Sequence, residues 1–180
     1  MMGFRWSNNA LDNALFAEFA KEMPDEQRIH TLIQQGADIN AIDLKGESVL
    51  IDAIGNINFG LDKKYIQLIV DLGANLEYSN DGLNCLYDAV LTMNYDIVEL
   101  LLNAGANPNC FSIESSASLL DWAESKLYYE WLKNNGNAEM MVPIVQLLKR
   151  HHARSFAAIS VTQSDVFYLN HFSIDNLLLS

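Results

Sequence analysis

Apolar residues recur along this chain in short stretches of helical spacing, and each stretch is followed by a glycine and a polar turn. Ile29–Ile33, Ile66–Val70 and Ile97–Leu102 each place apolar side chains three or four residues apart, which predicts amphipathic helices. A Gly-Ala-(Asp/Asn) phrase follows each stretch, and the glycines are Gly36, Gly73 and Gly105. Glycine readily adopts the left-handed conformation through which a chain leaves a helix. The pattern therefore predicts three similar helix ends.

A second motif recurs out of phase with the first. It is a Leu-x-x-Ala phrase that starts at residues 50, 86 and 120, which gives periods of 36 and 34 residues. Leucine and alanine three positions apart lie on one face of a helix, where the small alanine lets a neighbouring helix approach. The phrases are preceded by good N-cap residues, which are Ser48, Asn84 and Ser118. Each unit is predicted to be a turn, a short helix, a loop and a second helix.

These phrases resemble the ankyrin repeat, a unit of about 33 residues. Residues 95–107, which read YDIVELLLNAGAN, are similar to the family's second helix and its exit. The resemblance implies an all-α solenoid with a domain over residues 1–152 and units of about 7–42, 43–78, 79–111 and 112–152. The family's Thr, Pro and His signature residues are replaced in all three phrases, and about four extra residues lie near 56–60.

Both ends of the solenoid are expected to be atypical, since terminal repeats must cover the stack. Residues 7–22 are predicted to form a helix capped by Ser7 or Asn8, as part of a degenerate N-terminal repeat. In the last unit the first helix is predicted to continue through Leu132, and Gly136 to lie in the inter-helix loop. Pro143 is predicted to occupy the first turn of the second helix. Residues 153–180 are apolar enough to predict a capping segment packed on the last repeat.

The charge balance restricts the partners. The 180 residues contain 11 Lys+Arg and 23 Asp+Glu, a net charge of −12. Nucleic acids and anionic membrane surfaces both attract cationic proteins, so we expect no binding to either. No apolar run reaches 18 residues, so no transmembrane helix is predicted. The two cysteines are too few for a disulfide framework, which favours a reducing compartment and a cytoplasmic location. A monomer is the favoured oligomeric state.

The sequence contains no motif that indicates catalysis. Phosphate-binding glycine loops, HExxH, GxSxG and EF-hand patterns are all missing. The adjacent His151 and His152 would point about 100° apart on a helix, which suits helix-end residues better than a metal site. We therefore expect no enzyme activity, no metal and no cofactor.

The centre of the chain is strongly acidic. From Tyr65 to Ser125 there are nine acidic residues and no Lys or Arg. The ankyrin resemblance implies one concave binding face made of turn tips and first helices. Carboxylates and apolar tip residues that would lie on or near this face are Leu44, Glu47, Asp52, Tyr78, Asp81, Asp88, Phe111, Ile113 and Glu114. The apolar tips would either contact a partner or pack against adjacent tips, and the acids would either steer a cationic partner or only solvate the surface.

These features predict a non-catalytic module that binds a basic protein through turn tips and first helices. A small stand-alone inhibitor, such as an immunity protein that neutralises a basic toxin, is a sharper form of this hypothesis. The alternatives are a small-molecule-binding protein or an enzyme that uses the C-terminal segment, and a purely structural module. A deep polar pocket with shifted titrating groups near the histidines would favour the enzyme, and an acidic groove would favour the protein binder.

Overall fold

Helices follow one another in pairs along the chain, as the repeated motifs predict. The computed structural model describes residues 9–80, 83–112, 117–134 and 136–155. Its contacts divide the chain into two compact units, 1–107 and 108–180. The all-α, ankyrin-type architecture predicted from the repeats is confirmed. The predicted unit boundaries and the capping role of residues 153–180 stay predictions, since residues 156–180 lie outside the described part of the chain.

The first unit contains three helix pairs. Their helices are α1 (Ala10–Phe19), α2 (Glu26–Gln34), α3 (Val49–Asn56), α4 (Lys63–Asp71), α5 (Cys85–Leu91) and α6 (Tyr95–Asn103). Each first helix packs on its own second helix, and the first helices pack in a row, α1 on α3 and α3 on α5. The second helix α4 also packs on α6. This row is the stacked arrangement that a repeat needs to bury its apolar faces.

The leucine and alanine motif supplies the contacts of that row. Leu50, Ala53, Leu86 and Ala89 are all buried, with at most 1% of their surface exposed. The predicted caps are also confirmed, since Ser48 accepts a hydrogen bond from the Ile51 amide and Asn84 accepts one from the Tyr87 amide. Caps of this type satisfy amide groups that have no partner within the helix. The motif therefore fixes both where α3 and α5 begin and which face they bury.

Small antiparallel strand pairs form the turn tips, a feature that the helical periodicity did not predict. In the first unit β1 (Ser79–Asn80) pairs with β2 (Leu83–Asn84), with Ser79 opposite Asn84. In the second unit β3 (Phe111–Ser112) pairs with β4 (Ala117–Ser118). The predicted insertion near residues 56–60 is confirmed as a 3₁₀ turn, Ile57–Phe59, which follows α3 directly.

The N-terminal repeat departs from its predicted helix bounds. Asn9, not Ser7 or Asn8, is the N-cap of α1, and its side chain accepts a hydrogen bond from the Leu11 amide. The helix ends at Phe19 rather than near Glu22. The reason is the buried Glu18, whose carboxylate turns into the following loop to accept a hydrogen bond from the Asp25 amide at 2.8 Å. It is also paired there with Lys21 and Arg28.

The described residues of the second unit form two longer helices. Helix α7 (Leu119–Lys133) continues well past Ala123, and α8 (Asn137–Arg150) packs on it. Gly136 lies in the loop between them, as predicted. The prediction for Pro143 is wrong, because α8 begins six residues earlier and places the proline inside the helix. Proline has no amide hydrogen, so α8 lacks the hydrogen bond that residue 143 would donate to the Glu139 carbonyl.

A side chain that follows one Gly-Ala phrase binds backbone groups of the next phrase along the chain. Asn40 accepts a hydrogen bond from the Asn75 amide at 2.6 Å and donates one to the Gly73 carbonyl at 3.3 Å. In the second unit, Asn109 makes the same pair of contacts with the Arg154 amide and the His152 carbonyl, at 2.8 and 3.4 Å. Two backbone groups of one phrase are thus held by one amide side chain.

This equivalence identifies His152 as the residue that ends the helix pair formed by α7 and α8. Gly36, Gly73 and Gly105 all have positive φ, and His152 has φ +64°. The following Ala153 amide donates to the Leu148 carbonyl, as the Ala106 amide donates to Leu101. Histidine therefore occupies a left-handed position that the other three helix pairs give to glycine. A side chain in this conformation carries a steric cost that glycine avoids.

His152→Gly is predicted to stabilise the protein by about 0.5–1 kcal/mol, because relief of left-handed strain exceeds the added entropy of the unfolded chain. Urea unfolding followed by tryptophan fluorescence measures this, since Trp122 and Trp131 both lie in the second unit. The control is His151→Gly at φ −89°, where glycine should destabilise. Equal destabilisation by both changes would contradict the assignment of His152.

Candidate functional site

A groove of about 340 Å³ is lined by residues of α3 and α5, the first helices of two successive repeats in the first unit. Three carboxylates line it, from Glu47, Asp52 and Asp88. The other side chains of its walls are Ile51, Asn56, Asn58, Phe59, Leu91 and Thr92. The helix stacking brings Asp52 and Asp88 together here, because each is the fourth residue of its helix and the two helices pack side by side.

The tip that precedes α3 holds Glu47 at the groove. Asp43 is buried, and its carboxylate accepts hydrogen bonds from the Lys45 and Glu47 amides, both at 2.8 Å. The Asp43 amide in turn donates to the Glu47 carbonyl at 2.9 Å. A short-range hydrogen-bond network of this kind rigidifies a turn. The Glu47 backbone is therefore fixed at the start of α3, next to Asp52.

Both aspartates of the groove titrate far above their ordinary range. Burial raises the pKa of Asp52 to about 6, and the neighbouring Glu47 and Asp43 carboxylates add to the rise. The Lys45 ammonium group and the Asn56 amide, which donates to Asp52 at 3.3 Å, lower the same pKa. Burial also raises the pKa of Asp88 to about 6, with Glu47 as the second cause. Desolvation and like charges both disfavour the ionised form.

No cation balances these carboxylates from within the groove. None of its described lining residues is Lys or Arg, and no described group pairs with the Asp88 carboxylate. In the second unit the equivalent motif position is Trp122, and the acidic residue one position earlier, Asp121, is used differently. Asp121 accepts hydrogen bonds from the hydroxyl and the amide of Ser118, in a capping box. Asp88 has no such role in its helix, so its carboxylate remains available in the groove.

The predicted tip residues divide into two groups. Leu44 is 69% exposed at the first tip. Tyr78 is half-buried, and its hydroxyl donates a hydrogen bond to the Gly46 carbonyl at 2.7 Å, so it packs against the preceding tip. Asn80 makes a similar contact with the Lys45 carbonyl. Of the other predicted site residues, Phe111 is described only as part of β3, and those outside the described residues are Asp81, Ile113 and Glu114.

Two exposed apolar residues of the groove were not predicted as site residues. Phe59 is 77% exposed on the inserted 3₁₀ turn, and Leu91 is 42% exposed at the end of α5. The sequence signal was the insertion itself, which adds a phenylalanine to an otherwise regular loop. A large exposed aromatic residue beside a concave surface is typical of a contact site.

Other kinds of site have little support within the described residues. These residues contain no group of three or more His, Cys, Asp and Glu side chains that could hold a metal ion. None of the described helices is long and apolar enough to cross a membrane. His151 and His152 lie at the end of α8 and its following turn, as expected for helix-end residues.

Asp88→Asn is predicted to stabilise the protein by about 1 kcal/mol at pH 7 and to lose this effect by pH 4. Because the folded-state pKa is raised to about 6 from 3.8, the wild-type protein loses stability as pH rises through this window. The expected gain in stability is smaller than the full pKa difference implies, since the Asp88 side chain keeps solvent contact.

Urea unfolding at half-unit pH steps measures this effect. The matched control, Asp71→Asn on the exposed surface of α4, should stay within about 0.5 kcal/mol of wild type throughout. A destabilised Asp88→Asn variant at pH 7 would show that the carboxylate is satisfied in the folded state.

Comparison with known protein families agrees with this architecture. A family model described as ankyrin repeats, in three copies, matches residues 18–112, which is just over half of the chain. The match runs from the end of α1 to β3 and includes every residue that lines the groove. The chain therefore belongs to the ankyrin repeat family, whose repeats are protein–protein interaction modules.

Proposed function

We propose that this protein binds a basic protein partner through the groove between α3 and α5 and the tip that carries Leu44. The observation that carries the proposal is the pair of half-buried aspartates in a groove whose described lining has no cation. A partner that supplies cationic groups would remove the electrostatic penalty that raises the pKa of both aspartates. Binding would therefore be favoured by relief of repulsion as well as by attraction.

The charge of the whole chain supports the same partner. With a net charge of −12, the protein attracts cations from a distance and repels nucleic acids and anionic membranes. Such steering raises association rates and is weakened by salt. Exposed Leu44 would add apolar contact at the rim of this surface. The contributions of Asp81, Phe111, Ile113 and Glu114 to the interface remain predictions from the sequence.

The sharper form of the proposal is inhibition. A basic toxin, for example one that acts on nucleic acid, presents a cationic surface to its substrate. An acidic concave face could occupy that surface and block the activity. Charge complementarity between this acidic protein and a basic toxin supports inhibition. The identity and the activity of the captured partner test it. Loss of that partner's activity on adding equimolar protein is the expected result.

Affinity capture followed by mass spectrometry tests the binding proposal. Immobilised wild-type protein should retain proteins of high isoelectric point at low salt and release most of them at moderate salt. The variant Asp52→Asn/Asp88→Asn should retain less, and its affinity for a purified partner should fall about tenfold at low salt. The fall should come mainly from slower association.

The control variant Asp71→Asn/Glu139→Gln removes the same number of charges from exposed positions on α4 and α8. It should retain the same proteins as wild type. Equal retention by the groove variant and the control variant, with unchanged association kinetics, would contradict the proposal and move the interface to the apolar tips.

A further inference from the structure

We propose that the groove between α3 and α5 receives an arginine side chain of the partner, with the guanidinium group facing Asp52 and Asp88 and the aliphatic stem lying along Phe59 and Leu91. This inference rests on the proposed function and names the group that the groove recognises. It depends on three properties of the same concave surface: its size, the position of its carboxylates and its exposed apolar wall.

The size of the groove suits one long side chain. Its volume of about 340 Å³ lies near the lower end of the range of about 300–1,000 Å³ for small-ligand sites. Its lining includes residues of two short elements, the 3₁₀ turn Ile57–Phe59 and the last turn of α5. A single extended side chain fits a space of this volume better than a folded segment of chain, because the side chain is narrower.

The carboxylates define the charged end of this site. Asp52 keeps one neutral donor, the Asn56 amide, and Asp88 has no described partner. Glu47 acts electrostatically on both aspartates, so the three groups share one region of negative potential. A guanidinium group has five donors in a planar fork, and it can bind two carboxylates at once. An ammonium group acts as a point charge and matches this arrangement less well.

The apolar wall accounts for the rest of the side chain. Phe59 is 77% exposed and Leu91 is 42% exposed, and both line the concave surface of the groove. Their apolar side chains are therefore available for contact with a bound group. Long cationic side chains cover apolar surface with their methylene groups while the charged end stays near polar groups. Arginine also stacks on aromatic rings more often than lysine does. Phe59 is thus the residue that should distinguish arginine from lysine.

NMR titration with capped amino acids tests the proposal without a known partner. The probes are N-acetyl-arginine methylamide, the corresponding lysine compound and the citrulline compound, which is a neutral isostere of arginine. The signals to follow are the backbone amides of Gly55 and Asn56 in the groove, and the backbone amide of Gln67 on α4 serves as an internal reference. Uncapped L-arginine carries a carboxylate of its own, which the three carboxylates of the groove would repel. Comparing it with the capped probe therefore distinguishes a site for a protein side chain from a site for the free amino acid.

The arginine probe should shift the groove signals, and the citrulline probe should bind at least tenfold more weakly. Uncapped L-arginine should also bind more weakly than the capped form. Phe59→Ala should weaken arginine binding about three- to fivefold and lysine binding less, because stacking is lost while charge is kept. This variant should fold normally, since the Phe59 side chain is largely exposed. Asp88→Asn should weaken both cationic probes.

Two results would overturn the proposal. Equal binding of arginine and lysine probes with no effect of Phe59→Ala would exclude an arginine site but leave a generally acidic interface. No shift of Gly55 or Asn56 with either cation would exclude a cation site in the groove. Failure of the capture experiment, with specific arginine shifts intact, would instead refute the basic protein partner and leave the groove as an arginine-binding site.

Discussion

No helix pair in this chain can bury its apolar face alone, and the stacking that this constraint requires determines the rest of the first unit. Leu50, Ala53, Leu86 and Ala89 are all buried, on first helices that pack against each other. The same stacking aligns equivalent motif positions in successive repeats. Asp52 and Asp88 are such positions, so packing that serves the core also concentrates negative charge on the opposite side of the row. The acidic groove is thus a consequence of repeat register.

Much of this arrangement could be predicted from the sequence because the repeated signals are local. Glycines at helix ends, side-chain N-caps and leucine–alanine pairs each have a short-range physical cause, and all three recur in register. His152 was predicted near a helix end, but its left-handed conformation was not predicted, because such a conformation of a histidine leaves no mark in composition. Only its relation to Asn109, across more than 40 residues, identifies it. The start of α1 was misplaced because Ser7, Asn8 and Asn9 can all act as caps. The start of α8 was misplaced because Pro143 was assigned to the first helical turn.

The candidate site was predicted in part. The repeat register placed Glu47, Asp52 and Asp88 on one face, and the structure brings them to one groove. The direction of the Phe59 side chain could not be predicted, because it depends on how the inserted turn leaves α3. Tyr78 was predicted as an exposed tip residue or a packing residue, and its hydrogen bond to Gly46 makes it a link between tips. The role of Tyr78 was decided by a contact between residues 32 positions apart, whereas local sequence decided the helices.

The proposed site depends on one electrostatic property, that its carboxylates are held close together in a groove whose described lining has no Lys or Arg. Site-resolved titration of the aspartate side-chain carboxyl carbons by NMR tests this property most directly. Asp52 and Asp88 should titrate near pH 6, and Glu47→Gln should lower both pKa values, since the Glu47 carboxylate contributes to both. Titration of both aspartates near 3.8, unchanged by Glu47→Gln, would contradict it.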